Sequence, residues 1–321
     1  MNVSVVRPFQ PGQYYVLDGG FSTQLARYVT GVDSDPLWTA RSLVKDKGSV
    51  VRVHRDFLAK GARVILTNSY QVSSQGFKEY LGFTEQETFK AMVDSVKLAW
   101  KAVEEEGAVP GHVLVGGSVG PYGACMHDGS EYTGAYLKGS GGMTQEQLVD
   151  WHRNRVEALQ EGGVSFIAVE TMPASREALA VLDCVAQAGM LPAWVSFTLR
   201  DEHTLAGGET VEEAVRAVMG HKLAKQGRLV AVGVNCSAPG VVTGALKVPR
   251  KVAGRVPFVV YPNSGEVWGG DTRGWTGEGV KWMGLVRDWV KLGVVIVGGC
   301  CRVSAEMLPQ VEQEIIKGIA G

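Results

Sequence analysis

The chain is short of cysteine, has no long apolar run and carries no excess of either charge, and each shortage removes a class of protein. Its five cysteines are an odd number, and Cys300 and Cys301 are adjacent. That is a poor disulfide framework and reads as reduced thiols in a reducing compartment. No stretch approaches the ~20 apolar residues that span a bilayer. The opening MNVSVVRPFQPGQ has no apolar core and no small-residue cleavage site, so no signal peptide is expected. Basic and acidic residues number 32 and 33, too balanced for a broad footprint on nucleic acid or an anionic membrane. None of the histidines at 54, 112, 127, 152, 203 and 221 forms a metal-spaced pair. His54 and His152 fall in helical segments and are expected to be partly exposed. A nucleophile elbow and a strand-following G-x-G-x-x-G are also missing. A cytoplasmic enzyme with small-molecule substrates is what remains.

What the chain does have is a repeat. An amphipathic stretch ends at glycine, at Gly61, Gly107, Gly162 or Gly163, Gly189, Gly227, Gly254 and Gly293. A short β-branched run follows each: RVILTN, HVLVGGS, SFIAVET, PAWVSFT, RLVAVGVN, PFVVYPN and VVIVGG. Glycine just past a helix adopts the left-handed cap without a Cβ clash. With the opening YYVLDGG this predicts eight strands. Between them, Phe89, Met92, Val93, Val96, Trp100 and Val103 mark one helical face, and Thr144 with Gln147 and Thr210 with Glu213 have capping-box spacing. Doubly apolar strands alternating with helices imply a parallel sheet covered by helices. The length of 321 residues would allow two domains. Eight units instead favour an α/β fold in which residues 1–321 form one (β/α)8 TIM-type barrel, with an open doubly wound sheet as the alternative. The long gaps follow the first three strands. An insertion at about 121–143, rich in Gly and Tyr, is expected over the barrel mouth as a flexible lid. Its GSGG stretch lacks the ending of a phosphate loop.

Barrel chemistry gathers at the C-terminal ends of strands. There the chain places Asp18, Thr67-Asn68, Glu170, Asn235-Cys236 and Gly299-Cys300-Cys301. The sixth and eighth strands are separated by one strand, so Cys236, Cys300 and Cys301 can converge. Three thiolates with one open position are the composition of a zinc site that accepts an outside ligand, one Zn²⁺ per chain. The competing reading makes them buried small residues. Cys184 lies on a helix and reads as core; Cys125 lies in the insertion with nothing to assign it. Asp18 and Glu170 are either structural acceptors or a seat for an α-ammonium group. Trp38, Tyr122 and Trp268 are loop aromatics able to face a cation, although packing is the usual fate of such residues.

The segments DGGFSTQL, ILTNSYQ, GGSVGPYGA, DGSEYTGAY, AVETMP, VGVNCSAP, VVYPNSGEVW and IVGGCCR together resemble the homocysteine S-methyltransferase family. The likeness runs from about residue 14 to about residue 305 and is nearest to the S-methylmethionine-using members. It implies zinc-dependent methyl transfer from S-methylmethionine or S-adenosylmethionine to L-homocysteine, forming methionine. It further implies Cys236, Cys300 and Cys301 as zinc ligands and Asp18 and Glu170 on the homocysteine amino group. Gly19 and Thr67 match positions whose backbone meets the carboxylate, and Trp38 matches an aromatic near the donor in the betaine-using enzyme. Gln71 stands where that enzyme has tyrosine, and the chain ends twenty residues after Cys301. Both departures count against betaine as donor, and the second predicts a monomer. The rival readings are a methyltransferase for selenocysteine or selenohomocysteine, and a non-catalytic barrel that senses zinc or redox state.

Overall fold

β-Branched runs that are apolar on both faces can satisfy their backbone only by pairing on both edges and being covered on both sides. The computed structural model describes residues 8–9, 12–109, 111–247, 250–269 and 274–320, those at 267–269, 274 and 275 by backbone only. Seven runs form β1 (Tyr15–Val16), β2 (Val64–Leu66), β3 (Leu114–Val119), β4 (Phe166–Met172), β5 (Ala193–Phe197), β6 (Leu229–Asn235) and β7 (Phe258–Tyr261). A hairpin, β8 (Val267–Gly269) with β9 (Gly274–Thr276), precedes the last barrel strand, β10 (Val294–Val297). The sheet order is β1-β10-β7-β6-β5-β4-β3-β2, with every neighbour parallel. The remaining seam, β1 against β2, is joined by the parallel bridge Leu17–Val64 and by Asp18 N–H donating to the Val64 carbonyl at 3.0 Å. The eight expected strands therefore make a (β/α)8 barrel.

The glycine punctuation has the expected geometry. Gly61, Gly107, Gly163, Gly227, Gly254 and Gly293 have φ between 60° and 99°, and Gly189 has φ 159°. Both expected capping boxes form, at Thr144–Gln147 and Thr210–Glu213, and Thr84–Glu87 adds a third. The hairpin after β7 was not foreseen, because its residues carry no strand periodicity.

Alternation along the strands builds two cores. Phe166, Ala168, Trp194, Val259, Tyr261 and Ile296 fill the barrel, while Ile167, Val169, Val195, Val260 and Val297 face the helices. Gly116 gives Phe166 its space: a Cβ there would stand 2.4 Å from the ring. Phe9 stacks on Trp194 and borders Leu229, Val256 and Gly293 at the strands' N-terminal ends. Phe9 packs into the interior cluster at that end, and the pocket holding the candidate residues lies at the other.

His54 and His152 are both fully buried, contrary to the expected partial exposure. His54 shares the inward face of helix Lys47–Ala59 with Val50, Val53 and Phe57. His152 shares that of helix Gln145–Gly162 with Leu148, Arg155 and Leu159.

Candidate active site

Residues 121–143 fold into three short 3-10 turns, Tyr122–Cys125, Ser130–Tyr132 and Ala135–Leu137. They cover the mouth, held by hydrogen bonds more than the expected flexible lid requires. Gln71 is one fastening: its Nε2 donates to the Ala124 carbonyl at 2.7 Å and lies 3.0 Å from His127 Nδ1. Cys125 Sγ donates to the Gln71 carbonyl at 3.4 Å. Glu177 is another, accepting Tyr122 N–H at 2.6 Å, His152 Nε2–H at 3.0 Å and the Tyr136 hydroxyl. Tyr122 packs on Trp151 and Tyr136, so it is a packing residue. The Trp268 side chain lies outside the described residues.

Beneath the cover is a pocket of about 110 Å³ lined by Asp18, Gly19, Trp38, Thr67, Glu170, Cys236, Cys300 and Cys301. All eight candidate residues thus reach one cavity. The site also includes Ser118, at the end of the third strand, and Tyr70, Glu131, Tyr132 and Tyr261, of which the last four were not selected from the sequence. Tyr70 and the Glu131-Tyr132 pair lie inside ILTNSYQ and DGSEYTGAY, so position within a motif was the available signal.

Local backbone places the thiols. Asn235 makes a pair of hydrogen bonds to Thr171, accepting its N–H at 2.7 Å and donating to its hydroxyl at 2.7 Å. The next residue, Cys236, has φ 47°, and Thr171 itself has φ 59°. Such left-handed values for non-glycine residues are held against a cost and concentrate at functional sites. Cys300 N–H donates to the Pro262 carbonyl at 2.7 Å, and the Cys301 carbonyl accepts Ser264 N–H at 3.0 Å. Gly299 admits the turn, since a Cβ there would lie 2.2 Å from Val303. The three sulfurs all fall within 4.8 Å of one another, with Cys236 and Cys301 at 3.6 Å. This spread is what one metal ion needs.

Charge in the cluster is unequal. Hydrogen bonds from Cys300, Cys301 and the Tyr132 hydroxyl, the last at 3.2 Å, hold the Cys236 thiol well below its usual range. Cys300 and Cys301 are pushed well up, chiefly because each is bonded to that thiolate. A lone trio of thiols therefore carries one charge readily and resists the second and third. A soft divalent cation reverses that preference and uses all three as ligands. The donor set fits a thiolate-bound metal.

The acids behave alike. Asp18 is buried and accepts Leu66 N–H at 2.7 Å, and burial raises its carboxyl well above the ordinary range. Burial pushes Glu170 up to about 7 against the hydroxyls of Ser118 and Tyr261. Two desolvated carboxyls without a cation suit a ligand that brings one. Among the described residues lining the pocket there is no lysine or arginine. The Trp38 indole meets Tyr70 edge to face at 6.3 Å and donates to Asp33 at 3.1 Å.

The homocysteine S-methyltransferase family model matches residues 15–315. The chain belongs to the homocysteine S-methyltransferase family of enzymes. It is 43% identical to the betaine–homocysteine S-methyltransferase of Drosophila melanogaster, over 89% of each chain. With homocysteine S-methyltransferase 2 of Zea mays it shares 37% identity, over 95% of this chain and 91% of the relative. The metallated form of homocysteine methyltransferase MmuM from Escherichia coli superposes with a TM-score of 0.80 at 33% identity. That match covers 94% of this chain and 96% of the other. In this family member, then, the expected cysteine trio and both expected acids share one pocket at the strand ends. Gln71 points instead into the cover, and Cys184 is the core residue expected, donating to the Val149 carbonyl at 3.3 Å.

Proposed function

We propose that the protein transfers a methyl group from a sulfonium donor, S-methylmethionine or S-adenosylmethionine, to the sulfur of L-homocysteine. The observation that carries this is the convergence of three sulfurs within 4.8 Å in a pocket that also holds Asp18 and Glu170. Cys236, Cys300 and Cys301 hold one Zn²⁺ per chain. When bound, that ion supplies the positive charge that keeps an acceptor thiol deprotonated at neutral pH, where a free thiol is mostly protonated.

Asp18 and Glu170 take the α-ammonium group and regain the ionised state that burial opposes. The homocysteine carboxylate lies toward Gly19 and Thr67. The Thr67 N–H already donates to the Gly116 carbonyl at 2.9 Å, so the contact with nitrogen falls to Gly19. Its N–H has no hydrogen-bond partner among the described residues. With both ends anchored, the sulfur is aimed at the donor, which is the entropic part of the catalysis. The acceptor lone pair forms the new S–CH₃ bond as the donor C–S bond breaks, and its electrons neutralise the sulfonium. The acceptor thiol's proton passes to solvent. Trp38 offers an aromatic face to the donor cation.

The test combines metal analysis with methionine formation from S-methylmethionine, S-adenosylmethionine and betaine in parallel. Betaine is included because the Drosophila relative is named for it. Selenocysteine and selenohomocysteine serve as alternative acceptors. The expected result is turnover with the sulfonium donors and loss of both metal and activity in Cys300→Ala. Full activity in a metal-free variant overturns the reading, and a metal-loaded protein inert toward every donor leaves the sensing barrel.

A further inference from the structure

Three carboxylates reach the pocket, and the reading above employs two. The third, Glu131, comes from the cover. It sits on the turn Ser130–Tyr132, beside the tyrosine whose hydroxyl lies 3.2 Å from the Cys236 sulfur. Its Oε2 is buried and has no hydrogen-bond partner among the described residues. Asp18 and Glu170 differ in this respect, since each accepts a hydrogen bond from the barrel.

The turn carrying Glu131 is tied down. Ser130 N–H donates to Asp128 at 2.9 Å, Ser130 Oγ to the Gly123 carbonyl at 3.3 Å, and Gly134 N–H to the Ser130 carbonyl at 2.7 Å. The carboxylate is thus held inward rather than released to water, and burial pushes it up to about 7. An anionic oxygen kept from solvent without a donor is unfavourable until a cation arrives. No lysine or arginine among the described lining residues supplies one.

We infer that Glu131 selects the methyl donor by net charge, seating the cationic end of donors that carry a net charge of +1. This deepens the proposed function and rests on it. S-Methylmethionine and S-adenosylmethionine each hold a sulfonium and an ammonium against one carboxylate, and that carboxylate is paired beside the ammonium. In betaine and dimethylsulfonioacetate the carboxylate stands one carbon from the cationic centre, so it enters the Glu131 field along with the cation. Like charges brought together in a desolvated pocket reject a ligand as effectively as opposite charges attract one.

The test compares wild type with the isosteric Glu131→Gln, both metal-loaded. Donor KM is measured for S-methylmethionine, S-adenosylmethionine and dimethylsulfonioacetate at saturating homocysteine, together with calorimetric binding of S-methylmethionine without acceptor. The expected result is an about tenfold loss for the two donors of charge +1. The dimethylsulfonioacetate KM falls because the like-charge repulsion is removed, the homocysteine KM and metal content stay unchanged, and the unfolding temperature at pH 8 is no lower than that of wild type. Equal losses for all three donors, or a shift in homocysteine KM, overturn the inference. If wild type turns over no donor, the proposed function fails, and the calorimetry decides Glu131 alone. Weaker S-methylmethionine binding by the variant supports the inference, and equal binding overturns it.

Discussion

Glu170 shows what a buried carboxyl costs the protein that holds it. Its carboxyl titrates near 7 in the folded state because burial opposes the charge, against an ordinary 4.5. A group whose folded pKa is raised binds more protons folded than unfolded, so stability falls as pH rises from about 4.5 through 7. The full difference corresponds to about 3 kcal/mol above that window. Glu170→Gln, neutral at every pH, is expected to melt a few degrees above wild type at pH 8 and close to it at pH 5 in ligand-free protein. Thermal unfolding at the two pH values checks this, and parallel curves would remove the charge as the cause. Ligand binding has the opposite slope, since an ammonium prefers the ionised form. Homocysteine KM should fall as pH rises through 7 in wild type and less so in the variant. Asp18 and Glu170 were legible because each ends an apolar run, where a carboxylate stands out. Glu131 was not: it lies in an irregular segment, and only the folded turn reveals that its oxygen faces inward.

The cover over the mouth is secured by an element-to-element contact that no local pattern announces. Glu177, on helix Ser175–Ala188, accepts from Tyr122, Tyr136 and His152. Arg155 donates to His152 Nδ1 at 3.0 Å and to the carbonyls of Gly120 and Tyr70 at 2.8 and 2.7 Å. Burial holds His152 down to about 4, so it is neutral, with Nε2 as donor and Nδ1 as acceptor. Glu177→Ala would strand three donors, the Tyr122 N–H, the Tyr136 hydroxyl and the buried His152 Nε2–H, and it should cost about 3 kcal/mol. Tyr136→Phe removes one bond and should cost about 1 kcal/mol. Urea unfolding measures both, and limited proteolysis within 121–143 should accelerate in the same order. Equal stability in Glu177→Ala would mean that the cover is held elsewhere. Helix faces and capping boxes were readable because they repeat within one turn of chain. The same periodicity would have placed His54 and His152 inside, three or four residues from Val50, Phe57 and Leu148.

At the scale of the whole barrel, the cysteine trio links the ends of β6 and β10 with β7 lying between them, and a metal held there would tie the two strands together. The glycine-punctuated repeat made those strands and their order legible, because a helix cap and a β-branched run are both local signals. Phe9 under the barrel and the β8–β9 hairpin were not, since neither has a pattern of its own. The trio's charge state gives the tie a pH dependence. Cys236 is held as thiolate while Cys300 and Cys301 are held protonated, so binding a divalent metal releases about two protons. Metal affinity should therefore rise as pH increases from 6 to 8. Because the metal binds the folded chain, stabilisation follows RT ln(1 + [L]/Kd), about 2.7 kcal/mol at a hundredfold excess over Kd. Added zinc is expected to raise the melting temperature by several degrees at pH 8 and by less at pH 6. A chelator should reverse the shift, and Cys300→Ala should abolish it while its metal-free melting temperature stays near that of wild type. The same shift at both pH values would mean that all three sulfurs were already deprotonated, and the unequal charging of the cluster would be wrong.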